Sequence, residues 1–392
     1  MQAVILCGGL GTRLGELTQQ TPKPLLPVAG RPFLEWLVTN IRRFGFESIL
    51  LLAGHLGSSI AEFGRQRDCE CILEPQPLGT AGALRNARES LASEFLLLNG
   101  DTLFDFNYLD LMIRTPSASL GSIALLQTDD PSRYGSVILN EYRIISFAEK
   151  NASGSGLING GVYFLRRQVA DLLPEKGSLE QDVLPSLTDG RLTGFEYQGF
   201  FIDIGVPAEY ERAQGSVPRH FCRPAAFFDR DGTLNEDSGY VHTPEEFCWL
   251  AGAKEAIKAV NDAGYLAIVV SNQAGIARGY YTKQEVHDLH RWMNLELRRV
   301  GAHIDAFYFC PHHPDAGTGQ YRIACKCRKP EPGMILQAAR EWNIDLEQSI
   351  AIGDHETDIT AFHHAGVKRI ASSLAEVAEY CSKHPHIPAL KN

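Results

Sequence analysis

Short apolar runs alternate with helical stretches along this chain, and they do so in two successive sets. From Met1 to about Ala213 the runs AVILC, SILLLAG, FLLLNGD and GSIALL are of strand length, separated by segments such as PFLEWLVTNIRRF. Alternation of this kind predicts βαβ units around a largely parallel sheet. After Gln214 the polar, proline-bearing joint GSVPRHFCRP interrupts the pattern. It then restarts with AAFFDRDG, AGYLAIVVSNQ, IDAFYFCP, QSIAIGD and GVKRIAS as strands and TKQEVHDLHRWMNLELRRV among the helices. Two α/β domains are therefore expected, at residues 1–218 and 224–385. The length of 392 residues agrees, because single cores rarely grow beyond about 250–300 residues before the chain splits. No short-period repeat or low-complexity segment competes with this reading.

Charge narrows the partners. With 37 Lys and Arg against 47 Asp and Glu, the net charge of −10 argues against a nucleic-acid binder. Phosphorylated small molecules remain open, since local donors hold them. The start, MQAVILCGGLG, lacks the basic and long apolar regions of an export signal. No run approaches the roughly 18 apolar residues of a membrane span. Nine cysteines, clustered mainly at Cys310, Cys325 and Cys327, then favour reduced thiols and a cytoplasmic setting. The oligomeric state is open, a homo-oligomer included.

In the first half, AVILCGGLGTRL sets a buried strand directly before Gly8, Gly9 and Gly11. Glycine lets the backbone approach a phosphate, and Thr12 and Arg13 add a hydroxyl and a cation. A simple tight turn would look the same, and the spacing is not the dinucleotide fingerprint. TPKPLLPVAGRP then holds Lys23 between two prolines, in a restricted, extended backbone suited to meeting phosphate charge. EPQPLGTAGAL makes another glycine-rich turn before a helix, and LLLNGDTLF brings Asp101 out at a strand end, where open α/β sheets bind ligands. FFIDIGVPAEY offers Asp203 in a comparable place. Two carboxylates beside phosphates suit Mg²⁺, although either aspartate alone could be a cap.

The ordered set GGLGTRL, PKPLLPVAGRP, PLGTAGAL, NGD, FAEK, NGGVY and DIGVP makes this half resemble the sugar-1-phosphate nucleotidyltransferases. The resemblance implies a Rossmann-like mixed sheet, with Leu6 and Gly8 to Arg13 around the nucleotide triphosphate and Arg13 on the leaving pyrophosphate. It implies Lys23 on the α-phosphate, Asp101 and Asp203 on Mg²⁺, and Leu78, Gly79 and Thr80 near the base. Glu149, Lys150 and Asn159 match sugar-phosphate positions. The sugar phosphate would attack the α-phosphorus in line, so the protein positions groups and neutralises charge.

In the second half, AAFFDRDGTLN carries Asp229 and Asp231 just beyond an apolar strand. Their spacing puts one at the strand end and one on the turn, a division suited to a nucleophile and a general acid/base. AIVVSNQAG ends a strand at Ser271 and Asn272, CRKPEPGM supplies Lys329, and AIGDHETD supplies Asp354 and Asp358. This spread resembles the haloacid dehalogenase (HAD) superfamily of phosphatases, with its Rossmannoid parallel sheet. The resemblance implies nucleophilic attack by Asp229, acid/base work by Asp231 and charge stabilisation by Lys329. It further implies Mg²⁺ held by Asp229, the Asp231 carbonyl and Asp354, with Ser271 and Asn272 on phosphate oxygens and Asp358 supporting the metal shell.

CPHHPDAGTGQYRIACKCRKP sets Cys310, His312, Cys325 and Cys327 at the spacing C-x-H-x₁₂-C-x-C. Three thiolates and an imidazole suit a closed, structural Zn²⁺ site, which can order a loop that has few apolar residues. His313 is the alternative fourth ligand. Arg328 and Lys329 follow directly, so the loop would place the phosphate-binding lysine and let Arg328 reach the rest of the substrate. With FFDRDGTLN, this loop resembles the D-glycero-D-manno-heptose 1,7-bisphosphate 7-phosphatases and also the histidinol-phosphate phosphatases.

Fusion favours the heptose case, because removing the 7-phosphate leaves the heptose 1-phosphate that a nucleotidyltransferase needs. The expectation is a bifunctional enzyme using GTP or another NTP. Its rivals are a hexose-1-phosphate nucleotidyltransferase, or a non-catalytic nucleotide-sugar sensor, joined to a histidinol-phosphate-type phosphatase.

Overall fold

In the computed structural model, residues 1–129, 131, 136–147, 154–317 and 319–386 are described. The chain divides into two units, Met1–Arg219 and His220–Asn392.

The first unit is built on a nine-stranded sheet. Its order is Glu70–Leu73, Ser48–Ala53, Gln2–Leu6, Glu94–Asn99, Gly156–Arg166, Gly121–Thr128, Leu192–Glu196, Arg143–Phe147 and Val137–Asn140. The first four strands run parallel. Gly156–Arg166 is antiparallel to both its neighbours, so the sheet is mixed, as the family resemblance implied and the bare alternation did not. Parallel strands are covered on both faces, which explains why Ala3, Val4 and Ile5 form one uninterrupted apolar run with no exposure. The helix Phe33–Arg43 turns Phe33, Leu34, Leu37, Val38 and Ile41 inward and ends on Arg42 and Arg43, whose charge suits a helix C-terminus.

A separate two-stranded pairing has a direct consequence for function. Phe200–Asp203 runs antiparallel to Thr102–Asp105, with Asp203 opposite Thr102. The Ile204 N–H donates to the Asp101 carbonyl at 3.0 Å. Two aspartates far apart in sequence therefore meet at one point.

The second unit has a five-stranded parallel sheet in the order Ala306–Cys310, Leu266–Asn272, Ala225–Phe228, Ile350–Ile352 and Arg369–Ile370. The second and third strands in sequence lie to one side of Ala225–Phe228 and the last two to the other, which makes this central strand the switch point. Open sheets bind ligands beyond the carboxyl ends of their strands at such a point. Helix Lys283–Arg298 begins with a reciprocal capping box between Thr282 and Glu285. Its Leu289, Met293 and Leu297 pack with Ala267 and Val269 of the sheet in one buried cluster.

Candidate active sites

At the carboxyl ends of Gln2–Leu6 and Glu94–Asn99 the first unit opens a cavity of about 340 Å³. Leu6, Gly8, Gly9, Lys23, Gly79, Thr80 and Asp101 of the expected set line it. Arg13 and Thr12 are exposed on the segment Thr12–Thr18 and, like Gly11, are not among the lining residues. Leu78 is buried; its N–H donates to Glu74 Oε2 at 2.9 Å, and its carbonyl accepts from the Gly177 N–H. The glycine loop must stay close to its neighbours: a Cβ on Gly8 would come within 2.4 Å of Glu74 Oε1.

Lys23 forms a direct ion pair with Asp101, and its Nζ lies 3.8 Å from Asp203 Oδ1. The two carboxylates thus face one cationic point. Hard oxygens arranged in this way fit a divalent ion beside phosphate. Asn159 lies outside the cavity lining and donates to the Tyr163 hydroxyl at 2.8 Å. Tyr163 donates to Glu180, which also accepts from Thr80 at 3.0 Å, so Asn159 is linked through the buried Tyr163 and the half-buried Glu180 to the first turn of the helix Gly79–Asn86. Glu149 and Lys150 lie outside the described residues. Sequence reasoning missed Glu180 because no motif surrounds it; Glu74 stood in a quoted stretch, but only the fold turns it into the cavity.

The second unit holds a cleft of about 410 Å³ lined by Asp229, Asp231, Ser271, Asn272, Arg328, Lys329, Asp354 and Asp358, among others. Lys329 is buried; its ammonium donates to Asp229 Oδ1 and to the Val270 carbonyl, and it lies 2.7 Å from Asp358 Oδ1. The Asp229 carboxyl is raised to about 6, chiefly by burial; Lys329 opposes the rise, while Asp358 and Asp231 add to it. Burial disfavours the Lys329 ammonium, yet Asp229 and Asp358 outweigh that and hold its pKa above the ordinary lysine value. Asp358 contacts this lysine directly, a role the sequence reading did not assign.

Gly232 explains how Asp354 reaches the same cleft. Its φ is +83°, and a Cβ there would fall 2.2 Å from Asp354 Oδ2. The glycine after the aspartate pair is therefore required twice, for its backbone and for its bareness. The carboxylates of Asp229 and Asp354 line the same cleft as Asp231, and with the Asp231 main-chain carbonyl they offer hard oxygen donors of the kind that fits Mg²⁺.

Asn272 does not present a free amide to the cleft. Its Nδ2 donates to the Lys329 carbonyl and its Oδ1 accepts the Lys329 N–H, each at 3.1 Å. Gln273, missed from sequence although it adjoins Asn272, is buried and bonds Asp231 and Ser271.

In the cysteine loop, one ligand atom from each of Cys310, His312, Cys325 and Cys327 lies within 4.8 Å of every other. The Sγ separations are 3.5, 3.3 and 3.2 Å, and His312 Nδ1 lies 3.6 and 3.4 Å from the Cys310 and Cys327 sulfurs. These edges suit a tetrahedral metal centre. His313 instead accepts the Asp315 and Ala316 N–H groups on its Nδ1 at 3.2 and 2.9 Å, capping a turn. Arg328 donates to the His312 carbonyl at 3.1 Å, which ties the loop to the cleft.

The folds and clefts define an α/β enzyme with two phosphate-handling units, one of nucleotidyltransferase type and one of HAD hydrolase type. The chain belongs to the nucleotidyl transferase family, which residues 2–218 match, and its second unit to the family of the heptose-1,7-bisphosphate 7-phosphatases. Residues 326–372 also match the HAD-hydrolase-like family. The D-glycero-beta-D-manno-heptose-1,7-bisphosphate 7-phosphatase of Rhodopseudomonas palustris is 47% identical over 152 residues, 39% of this chain and 83% of that protein. The D-glycero-alpha-D-manno-heptose-1,7-bisphosphate 7-phosphatase of Burkholderia mallei is 45% identical over 41% of this chain and 89% of that protein. The crystal structure of HddC from Yersinia pseudotuberculosis complexed with GMP-PN is 34% identical, covering 54% of this chain and 97% of that chain with a TM-score of 0.50. Among the described residues no helix is long and apolar enough to cross a membrane.

Proposed function

We propose that this chain carries out two successive steps of nucleotide-activated heptose synthesis. Residues 224–385 remove the 7-phosphate of D-glycero-D-manno-heptose 1,7-bisphosphate, and residues 1–218 transfer GMP from GTP to the resulting heptose 1-phosphate, releasing pyrophosphate. The observation that carries this reading is the fusion itself. A unit similar to a heptose-bisphosphate 7-phosphatase shares one chain with a unit similar to HddC, a heptose 1-phosphate guanylyltransferase. The product of one is the substrate of the other. Histidinol phosphate offers no such connection, and both relatives named above are named for the heptose bisphosphate.

In the second unit Asp229 Oδ attacks phosphorus as the ester P–O bond breaks, giving an aspartyl phosphate. Asp231 supplies a proton to the leaving sugar alkoxide and then takes one from the water that hydrolyses the acyl phosphate. Lys329 and Ser271 hold the transferring group's oxygens. Asp229, the Asp231 carbonyl and Asp354 would hold Mg²⁺, which screens carboxylate from phosphate. In the first unit Lys23 neutralises charge on the α-phosphate, and Asp101 and Asp203 would hold a second Mg²⁺. Zinc at the cysteine loop is structural. The cytoplasm, where thiols stay reduced, is the setting we propose; none of the nine cysteines forms a disulfide.

The test is an assay of phosphate release from heptose 1,7-bisphosphate against histidinol phosphate. Pyrophosphate release from four NTPs with heptose 1-phosphate is measured in parallel. Asp229→Asn should abolish only the first activity and Asp101→Ala only the second. Preference for histidinol phosphate, or loss of both activities in either folded variant, would overturn the proposal.

A further inference from the structure

Gln273 is 1% exposed and uses its whole side-chain amide. Nε2 donates to Asp231 Oδ2 at 2.9 Å and to Ser271 Oγ at 2.7 Å. Oε1 accepts from the Tyr281 hydroxyl at 2.7 Å and from Arg230 Nη2 at 3.3 Å. The orientation of this amide is dictated by its partners, since a carboxylate only accepts and a guanidinium only donates. Two consequences follow. Ser271 Oγ accepts from Gln273, so its own hydrogen is left to point into the cleft it lines. Asp231 is held from one side by Gln273 and from the other by the fully buried Arg230, whose Nε and Nη2 donate to Oδ1 at 3.0 and 2.9 Å.

We propose that Gln273 is a positioning residue of the phosphatase, aiming the Ser271 hydroxyl at the phosphate and the Asp231 carboxyl at the leaving oxygen in one rigid unit. The assignment rests on the phosphatase reading above. During attack by Asp229 the ester P–O bond breaks while the Asp231 O–H bond gives its proton to the departing alkoxide. A sugar alkoxide needs that proton, whereas p-nitrophenolate departs without one. Misaiming Asp231 must therefore penalise alkyl esters selectively in kcat/KM, which ends at formation of the aspartyl phosphate, while its later work on the water and the aim of Ser271 are common to both ester types. A role confined to packing would not separate the two.

The experiment compares Gln273→Met and Tyr281→Phe with the unaltered full chain, using heptose 1,7-bisphosphate and p-nitrophenyl phosphate. Bound zinc and the melting transition serve as folding controls. Gln273→Met should lower kcat/KM on the bisphosphate by about 30-fold and on p-nitrophenyl phosphate by only about threefold, given that general acids contribute ~10²–10⁴. Tyr281→Phe, which removes only the hydroxyl that holds Oε1, should show the same ordering at smaller amplitude. Equal losses of kcat/KM on the two esters, or no loss on either, would overturn the assignment. An unaltered chain inert toward both esters would instead bring down the phosphatase reading, and this inference with it.

Discussion

Asn272 and Lys329 are joined by a reciprocal pair of hydrogen bonds, amide to peptide in both directions, at 3.1 Å each. The Lys329 ammonium in turn reaches Asp229. A strand-end asparagine thus fixes the backbone from which the buried lysine of the cleft extends.

Asn272→Ala should lower phosphatase turnover about tenfold, because each lost bond is worth about 0.5–1.5 kcal/mol and the lysine loses its anchor. Asn272→Asp, which keeps the acceptor, should fall between. Phosphate release at saturating substrate checks this, with pyrophosphate release unchanged.

Gly232→Ala should cripple magnesium use by the phosphatase. Its φ of +83° and the 2.2 Å approach to Asp354 Oδ2 leave a methyl group no room, so Asp354 must move away. The magnesium concentration for half-maximal phosphate release should rise about tenfold or more, strain in this backbone region alone costing roughly 1–2 kcal/mol.

Cys325→Ser should remove zinc and lower the stability of the second unit, since a four-ligand closed site contributes folding energy directly. Elemental analysis would read the metal, and thermal melting the unit. Phosphatase activity should fall with the zinc, because Arg328 and Lys329 follow the loop directly, and nucleotidyl transfer should persist.

Gly79→Ala should raise the KM for the nucleotide by about tenfold or more, given a φ of +74° and a Cβ that would sit 2.4 Å from the Gly177 carbonyl oxygen. Steady-state kinetics on the NTP would show it, with phosphate release as the unaffected control.

Wherever chemistry and local chain direction coincide, the sequence alone was enough to place a residue. Asp229 and Asp231 follow a buried run, and a carboxylate after a parallel strand has one exit, the carboxyl edge of the sheet. The same holds for Ser271, Asp354 and Asp101, and the cysteine spacing likewise announced its cluster. Tertiary structure alone decided what depends on pairing between distant segments. Asp203 meets Asp101 through the pairing of Phe200–Asp203 with Thr102–Asp105. His312 joins the thiols while the adjacent His313 caps a turn, a choice made by loop geometry. Asn272 turns to a peptide, Gln273 bridges Asp231 and Ser271, and Arg13 stays outside the cavity lining. The reason is physical: strand direction is carried by a few neighbouring residues, whereas the partner of a buried polar side chain is set by whichever distant segment packing brings within hydrogen-bond reach.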